Sequence, residues 1–140
     1  MPDVVATHRL TDEGARKMID AATEKARELG KPVVIAIVDA GGALVAFLRM
    51  EGSRFLTSRP TIKKAVTAAS HRTPTGFLKP EAELRMVLGM DNRLTNLPGG
   101  LPIVVAGEVI GGIGVGGAPG GNFDDDCAQA AIDKIKDRMK

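Results

Sequence analysis

The sequence predicts an α+β domain in which two β-hairpins share one antiparallel sheet covered by helices. Three observations carry that reading. A well-capped helical period opens the chain, two apolar hairpins follow at Val33–Met50 and Leu101–Val115, and an alanine-lined helical period closes it. Hairpins grouped apart from helices, without alternating βαβ units, are the mark of an α+β chain. At 140 residues, with no stretch of linker composition, one domain spanning 1–140 is expected.

Composition narrows the function classes. Aromatic residues make up 3% of the chain, with no Trp or Tyr, so base-stacking recognition of nucleic acid is not expected. A net charge of +2 supplies no electrostatic case for a nucleic-acid partner either. Cys127 is the single cysteine, which excludes an intrachain disulfide and a cysteine-based metal cluster. The apolar runs have strand length and the N-terminus has no signal-peptide pattern, so a cytoplasmic protein without a membrane span is expected.

Thr11 reads as an N-cap, with Asp12 and Glu13 in a first turn that favours carboxylates. Ala15, Met18, Ile19, Ala22, Ala26 and Leu29 recur at helical spacing, and Gly30 with Pro32 stops the helix. Val33–Val38 is a continuous β-branched run. Asp39-Ala40-Gly41-Gly42 turns it into a second strand, Ala43–Met50. The polar segment Glu51–Arg59 leads to a helix starting at Pro60, whose buried stripe is Ile62, Ala65, Val66 and Ala69, with Lys63, Lys64 and Thr67 nearer its flanks. A shorter helix from Pro80 turns Leu84, Val87 and Leu88 inward and closes at Gly89; Asp91–Leu97 is a loop or short strand.

The second hairpin, within PGGLPIVVAGEVIGGIGVGG (Pro98–Gly117), is the most informative stretch. Its runs Leu101–Ala106 and Val109–Val115 flank Gly107-Glu108, which predicts a type II′ turn. Strict alternation places Val109, Gly111, Ile113 and Val115 on one face, and Ile110, Gly112, Gly114 and Gly116 on the other. A strand face without side chains implies close approach by something else. The spacing favours a helix or neighbouring subunit. The alternative is a ligand against bare backbone, with Gly116-Gly117 and Gly120-Gly121 offering N–H groups. The last helix opens on Asn122-Phe123-Asp124-Asp125-Asp126 and buries Ala128, Ala131, Ile132, Ile135 and Met139.

Known catalytic and metal-binding spacings are absent: no nucleophile elbow, HExxH or P-loop occurs, and GIGVGG lies within a strand instead of opening a helix. The polar candidates are therefore Arg49, Glu51, Arg54, Arg59 and Lys64, which cluster in sequence near one strand end and one helix start. Cations there suit a carboxylate ligand. His8 and His71 are more simply surface or helix-end residues, and Met50 a core residue, than metal ligands.

The blocks VVIAIVDAGGALVAFLRMEG (Val33–Gly52), KAVTAA (Lys64–Ala69) and PGGLPIVVAGEVIGGIGVGG, followed by the Asp-led helix, resemble the GlcG/HbpS-like family, which includes the C-terminal domain of PduO-type proteins. The resemblance implies a profilin-like α/β/α sandwich around a five-stranded antiparallel sheet, with Asp91–Leu97 as the fifth strand, and a homo-oligomer. Some members bind haem. The chain departs from the family pattern at Glu51, where Asp is usual, and at Gly116, where Ser is usual.

The expected function is thus an oligomeric small-ligand-binding protein, with haem or another tetrapyrrole as candidate ligand. The expected ligand-binding residues are Arg49, Arg54, Gly99, Gly100, Gly114, Gly116 and Gly117. The alternative is an enzyme (lyase, isomerase or hydrolase) on a small carboxylate-bearing or aromatic-catabolism substrate, with Arg49 binding the anion, Lys64 as electrophile or base and Glu51 as proton shuttle. No metal site is expected.

Overall fold

The computed structural model describes residues 2–118 and 122–138. The expectations at Gly120-Gly121 and Met139 lie outside these residues. The described chain folds as α1 (Asp12–Leu29), β1 (Val34–Asp39), β2 (Leu44–Arg49), α2 (Ser58–His71), α3 (Pro80–Gly89), β3 (Gly100–Val105), β4 (Glu108–Gly116) and α4 (Asn122–Ile135), with short 3-10 turns before α2 and after α4. The strands form one antiparallel sheet in the order β2-β1-β4-β3. It is an α+β fold with four strands among the described residues, one fewer than the family resemblance implies.

The missing strand is Asp91–Leu97. Its polar groups bond away from the sheet: Thr95 N–H donates to Thr67 Oγ1 at 3.0 Å, and Leu97 N–H to Thr95 Oγ1 at 3.2 Å. Asn96 accepts from Leu78 N–H and donates to the Leu78 carbonyl. Side chains thus satisfy what a strand ladder would have paired.

The ends of α1 follow from local chemistry. Thr11 Oγ1 accepts from Gly14 N–H at 2.9 Å, and Gly30 takes φ 81° while its N–H reaches the Ala26 and Arg27 carbonyls. Met18, Ala22 and Ala26 of α1 and Cys127, Ala128 and Ala131 of α4 pack with Ile35, Ile37, Ile113 and Val115 on one face of the sheet. The opposite face belongs to α2, whose Ala65 and Ala69 meet Ala36 and Val38.

That second layer explains the glycines. A Cβ on Gly112 would sit 2.2 Å from the Ala65 carbonyl oxygen, and one on Gly114 equally close to that of Thr61. The bare strand face is a seat for a helix backbone. It is not open to a ligand at Gly114.

Two details of the second hairpin differ from strict alternation. Ile103 pairs with Gly111 but Val104 pairs with Val109, so Ile110 is an extra residue in a β-bulge. The bulge turns Ile110 into the same core as Ile113 and Val115, away from the glycines. The connection is Ala106-Gly107, with φ of 49° and 79°. Positive φ at both positions marks a type I′ turn in place of the expected type II′.

The helices α2 and α3 also depart from the expected faces. α2 begins at Ser58, ahead of Pro60, and buries Thr61, Lys64 and Thr67 beside its alanines, while Ile62 and Val66 are only partly covered. α3 has the expected bounds, but Leu84 is 70% and Leu88 68% exposed.

Candidate functional site

The packing of α2 on glycine backbone determines the chemistry beneath it. A helix that presses Thr61 and Ala65 onto β4 carries Lys64 inward with them, because positions i, i+3 and i+4 share one face at a 3.6-residue period. Lys64 is 5% exposed. Its Nζ donates to the Val115 carbonyl at 2.8 Å and faces Asp124 Oδ2 at 3.4 Å. Asp124, 3% exposed near the start of α4, also accepts the Ala118 N–H through Oδ1 at 3.4 Å.

Glycine is required where the two elements close on this pair. At Gly99, φ is +118°, and a Cβ would fall 2.4 Å from the Val115 carbonyl oxygen and 3.0 Å from Lys64 Nζ. A Cβ on Gly116 would lie 3.3 Å from the same amine. The lysine is thus clasped between backbone on one side and a carboxylate on the other.

Burial works against both charges. Loss of solvation lowers the Lys64 pKa, and the nearby Asp124 carboxylate only partly restores it. Burial likewise raises the Asp124 pKa, opposed by the Lys64 charge and the Ala118 N–H. Asp125 is raised by burial too, and the Cys127 thiol is pushed up to about 11. Cys127 is therefore a core residue and not a nucleophile.

Outward from the pair, a groove of about 520 Å³ opens between the start of α2 and the segment before β3. Leu56, Pro60, Leu97 and Pro98 give it apolar walls; Arg54, Thr57, Lys64 and Asp124 give it polar groups. Of the residues expected from sequence, the structure brings together Lys64, Arg54 and Gly117 at this groove, with Gly99 and Gly116 against the amine. Gly100 lies beneath the Lys64 carbonyl, 2.4 Å from where its Cβ would stand, and so under α2 backbone.

Arg49 and Glu51 are elsewhere. They line a separate depression of about 430 Å³ with Arg27 and Lys31, and Arg49 Nη1 donates to the Ser53 carbonyl at 3.3 Å. The sheet order explains the separation: β2 is an edge strand on the far side of β1 from β4, where Lys64 lies. Glu51 accordingly does not face Lys64; the carboxylate that does is Asp124. The histidines are apart as well. His8 Nδ1 pairs with Glu108 Oε1 at 2.8 Å, and Thr7 donates to the same carboxylate. Their bonds hold the Glu108 pKa below the usual carboxylate range. Met50 Sδ accepts the Val33 N–H at 3.4 Å and serves the core.

In the sequence Asp124 is only one of three carboxylates at a helix start. A signal was present. Asp124, Ala128, Ala131 and Ile135 share a helical stripe, and the last three are apolar. A carboxylate heading a buried stripe calls for an internal partner.

An alanine-lined helix pair over one sheet face, a second helix on a glycine strand, and a buried Lys–Asp pair between them define the class. The chain belongs to the HbpS-like family: a family model described as "Haem degrading protein HbpS-like" matches residues 10–133. Among particular relatives, Protein GlcG of Escherichia coli is 36% identical over 107 residues, covering 76% of this chain and 80% of GlcG. Two solved structures share the fold at comparable identity. HbpS aligns with a TM-score of 0.83 at 33% identity, covering 94% of this chain and 93% of the other. A PduOC:heme complex aligns with a TM-score of 0.84 at 32% identity, covering 91% and 96%.

Proposed function

We propose that this chain is a single-domain, oligomeric small-ligand-binding protein of the cytoplasm whose ligand is haem or another tetrapyrrole, held in the groove outside Lys64. The observation that carries the reading is the likeness to PduOC, a protein solved in complex with haem, over nearly the whole of both chains. The groove's chemistry agrees with it. Leu56 is 82% exposed and stands with Leu97 and Pro98 along the wall, an apolar surface that a flat macrocycle would cover. Arg54 at the rim suits a propionate. Haem bound there would supply an iron centre, while the chain's own residues supply the apolar wall, the cation and exclusion of water from the Lys64 end.

No histidine lines this groove among the described residues. Affinity then comes from the wall and the cation, so metal-free protoporphyrin should bind within about tenfold of haem. The test is a haem titration followed by the Soret band, with protoporphyrin fluorescence alongside. Leu56→Asp should weaken both ligands by about tenfold or more, since it places a charge on the apolar wall. Arg54→Gln should weaken them by about fivefold. Unchanged affinity in Leu56→Asp would refute the groove as the site.

Oligomerisation is supported by the exposed Leu84 and Leu88 of α3 and by Leu44, Val45 and Phe47 on the edge strand β2. Light scattering that gives a monomer at micromolar concentration would overturn it. A second reading, catalysis on a small carboxylate-bearing substrate, is favoured by one observation: the Lys64 and Asp124 pKa values are both displaced toward the uncharged forms. Turnover of a screened acid that is lost in Lys64→Met, with the fold retained, would support it. No helix among the described residues is long and apolar enough to cross a membrane.

A further inference from the structure

A second depression, of about 240 Å³, lies at the other end of α2, between its last turn, the β1–β2 turn and the segment after α3. Its apolar floor is Val66, Leu94 and Met90, and its polar groups are Ser70, His71 and Arg93. No carboxylate lines it among the described residues. The nearby Asp39 turns one oxygen into the β1–β2 turn, where its Oδ1 accepts the Gly41 and Ala43 N–H groups, both at 3.0 Å.

His71 gives this depression a defined polarity. Its ring packs on Phe77, with centroids 5.4 Å apart, and its Nδ1 is closed off from solvent with no hydrogen-bond partner. Neutral imidazole in water already favours the Nε2–H form, and the buried Nδ1 of His71 has no acceptor that would draw the proton to it. The neutral ring therefore carries its proton on Nε2, which makes His71 a hydrogen-bond donor at the nitrogen left to meet a ligand.

We infer that this depression is a binding site for a small carboxylic acid with a short hydrocarbon body. The guanidinium of Arg93 and the Nε2–H of His71 receive the carboxylate, the Ser70 hydroxyl adds a third donor, and Val66, Leu94 and Met90 cover the hydrocarbon. Donors without a competing acceptor select an anion, and an apolar floor selects against inorganic ions, which keep their water. The site is separate from the groove beside Lys64 and does not depend on tetrapyrrole binding.

The experiment uses the whole chain labelled with nitrogen-15 and butyrate as the probe, with butanamide as its uncharged counterpart. Long-range nitrogen–proton correlation of the imidazole should show the Nε2–H tautomer of His71 before addition. Butyrate should then shift the His71 resonances and the Met90 methyl saturably in the millimolar range, and butanamide should bind about tenfold more weakly or less. Arg93→Gln should weaken butyrate by a similar factor, and His71→Phe, which keeps a ring on Phe77, should weaken it too, each with an otherwise parental amide spectrum. The inference fails if His71 carries its proton on Nδ1, if butyrate causes no saturable shift, if butanamide binds as well, or if both variants bind butyrate like the parent.

Discussion

Replacing Gly114 with alanine tests why the central strand is bare. The added Cβ would lie 2.2 Å from the Thr61 carbonyl oxygen and 2.9 Å from the Ala65 nitrogen, both backbone atoms of α2. Real Cβ atoms essentially never come within 3.0 Å of such neighbours, so the helix must lift by about 0.8 Å along its central turns. Lifting it loosens the contacts of Ala65 and Ala69 with Ala36 and Val38 and draws Lys64 from the Val115 carbonyl. Overpacking of this kind costs about 1–3 kcal/mol, and a clash against backbone belongs at the upper end, about 3 kcal/mol. Gly112→Ala, equally close to the Ala65 carbonyl, should match it. Gly116→Ala should cost a comparable amount, because the Thr61 hydroxyl 2.4 Å away sits on a buried β-branched side chain that already donates to the Thr57 carbonyl, and Thr57 Cγ2 lies at 2.9 Å. Gly89→Ala, with nothing within 4 Å, should be neutral or stabilising by up to about 0.5–1 kcal/mol. Urea unfolding of the four variants measures the series. If Gly114→Ala lies within about 0.5 kcal/mol of the parent, the glycine strand is not there to seat α2.

Three further outcomes concern the buried pair and the second hairpin. The folded chain holds the Asp124 proton to higher pH than the unfolded chain, whose value is near 3.8. The stability from this group is therefore present below that value and lost as pH rises through the raised one. Urea midpoints against pH should show the advantage of the parent over Asp124→Asn shrinking as pH rises, and a growing advantage would refute it. Lys64 has the opposite sign. Its lowered pKa adds stability above the usual 10.5 that is lost as pH falls through the lowered value. Because burial outweighs attraction, Lys64→Met with Asp124→Leu should be at least as stable as Lys64→Met alone, which leaves a buried carboxylate unpaired. Ala106→Asn should raise stability by about 0.5–1 kcal/mol, since φ is 49° there and asparagine tolerates that region; a lower melting temperature would contradict the turn assignment.

What could be read from sequence was whatever local chemistry determines. The Thr11 cap, the Gly30 stop, the Asp39–Gly42 turn and the bounds of α3 each rest on residues within a turn of one another. What could not be read depended on a partner distant in sequence. Lys64 and Thr67 look like flank residues until a glycine strand far along the chain lets the helix sit close enough to bury them. Ile110 was misplaced because one inserted residue reverses strand parity, and nothing local announces a bulge. In the candidate site, Arg54 and Lys64 are near in sequence, but Gly117 joins them only because α2 packs on β4. Arg49 and Glu51 fell outside it because adjacency in sequence to the α2 start said nothing of strand order. The glycine face implies a close approach in the sequence, and its occupant in the structure is α2.

The strand order has a consequence for how the chain is made. Each hairpin can zip locally, but the sheet's middle seam joins Val34 to Gly116, about 80 residues later, so its closure is a late, non-local event. During synthesis β1 emerges early with apolar side chains on both faces, and it has one strand neighbour until β4 follows it out. The first 100 residues hold α1, α2 and the β1–β2 hairpin but not the strand on which α2 is seated. A nascent chain of that length should be protease-sensitive and prone to pairing through β1, and protection should come abruptly once Gly116 is free to dock.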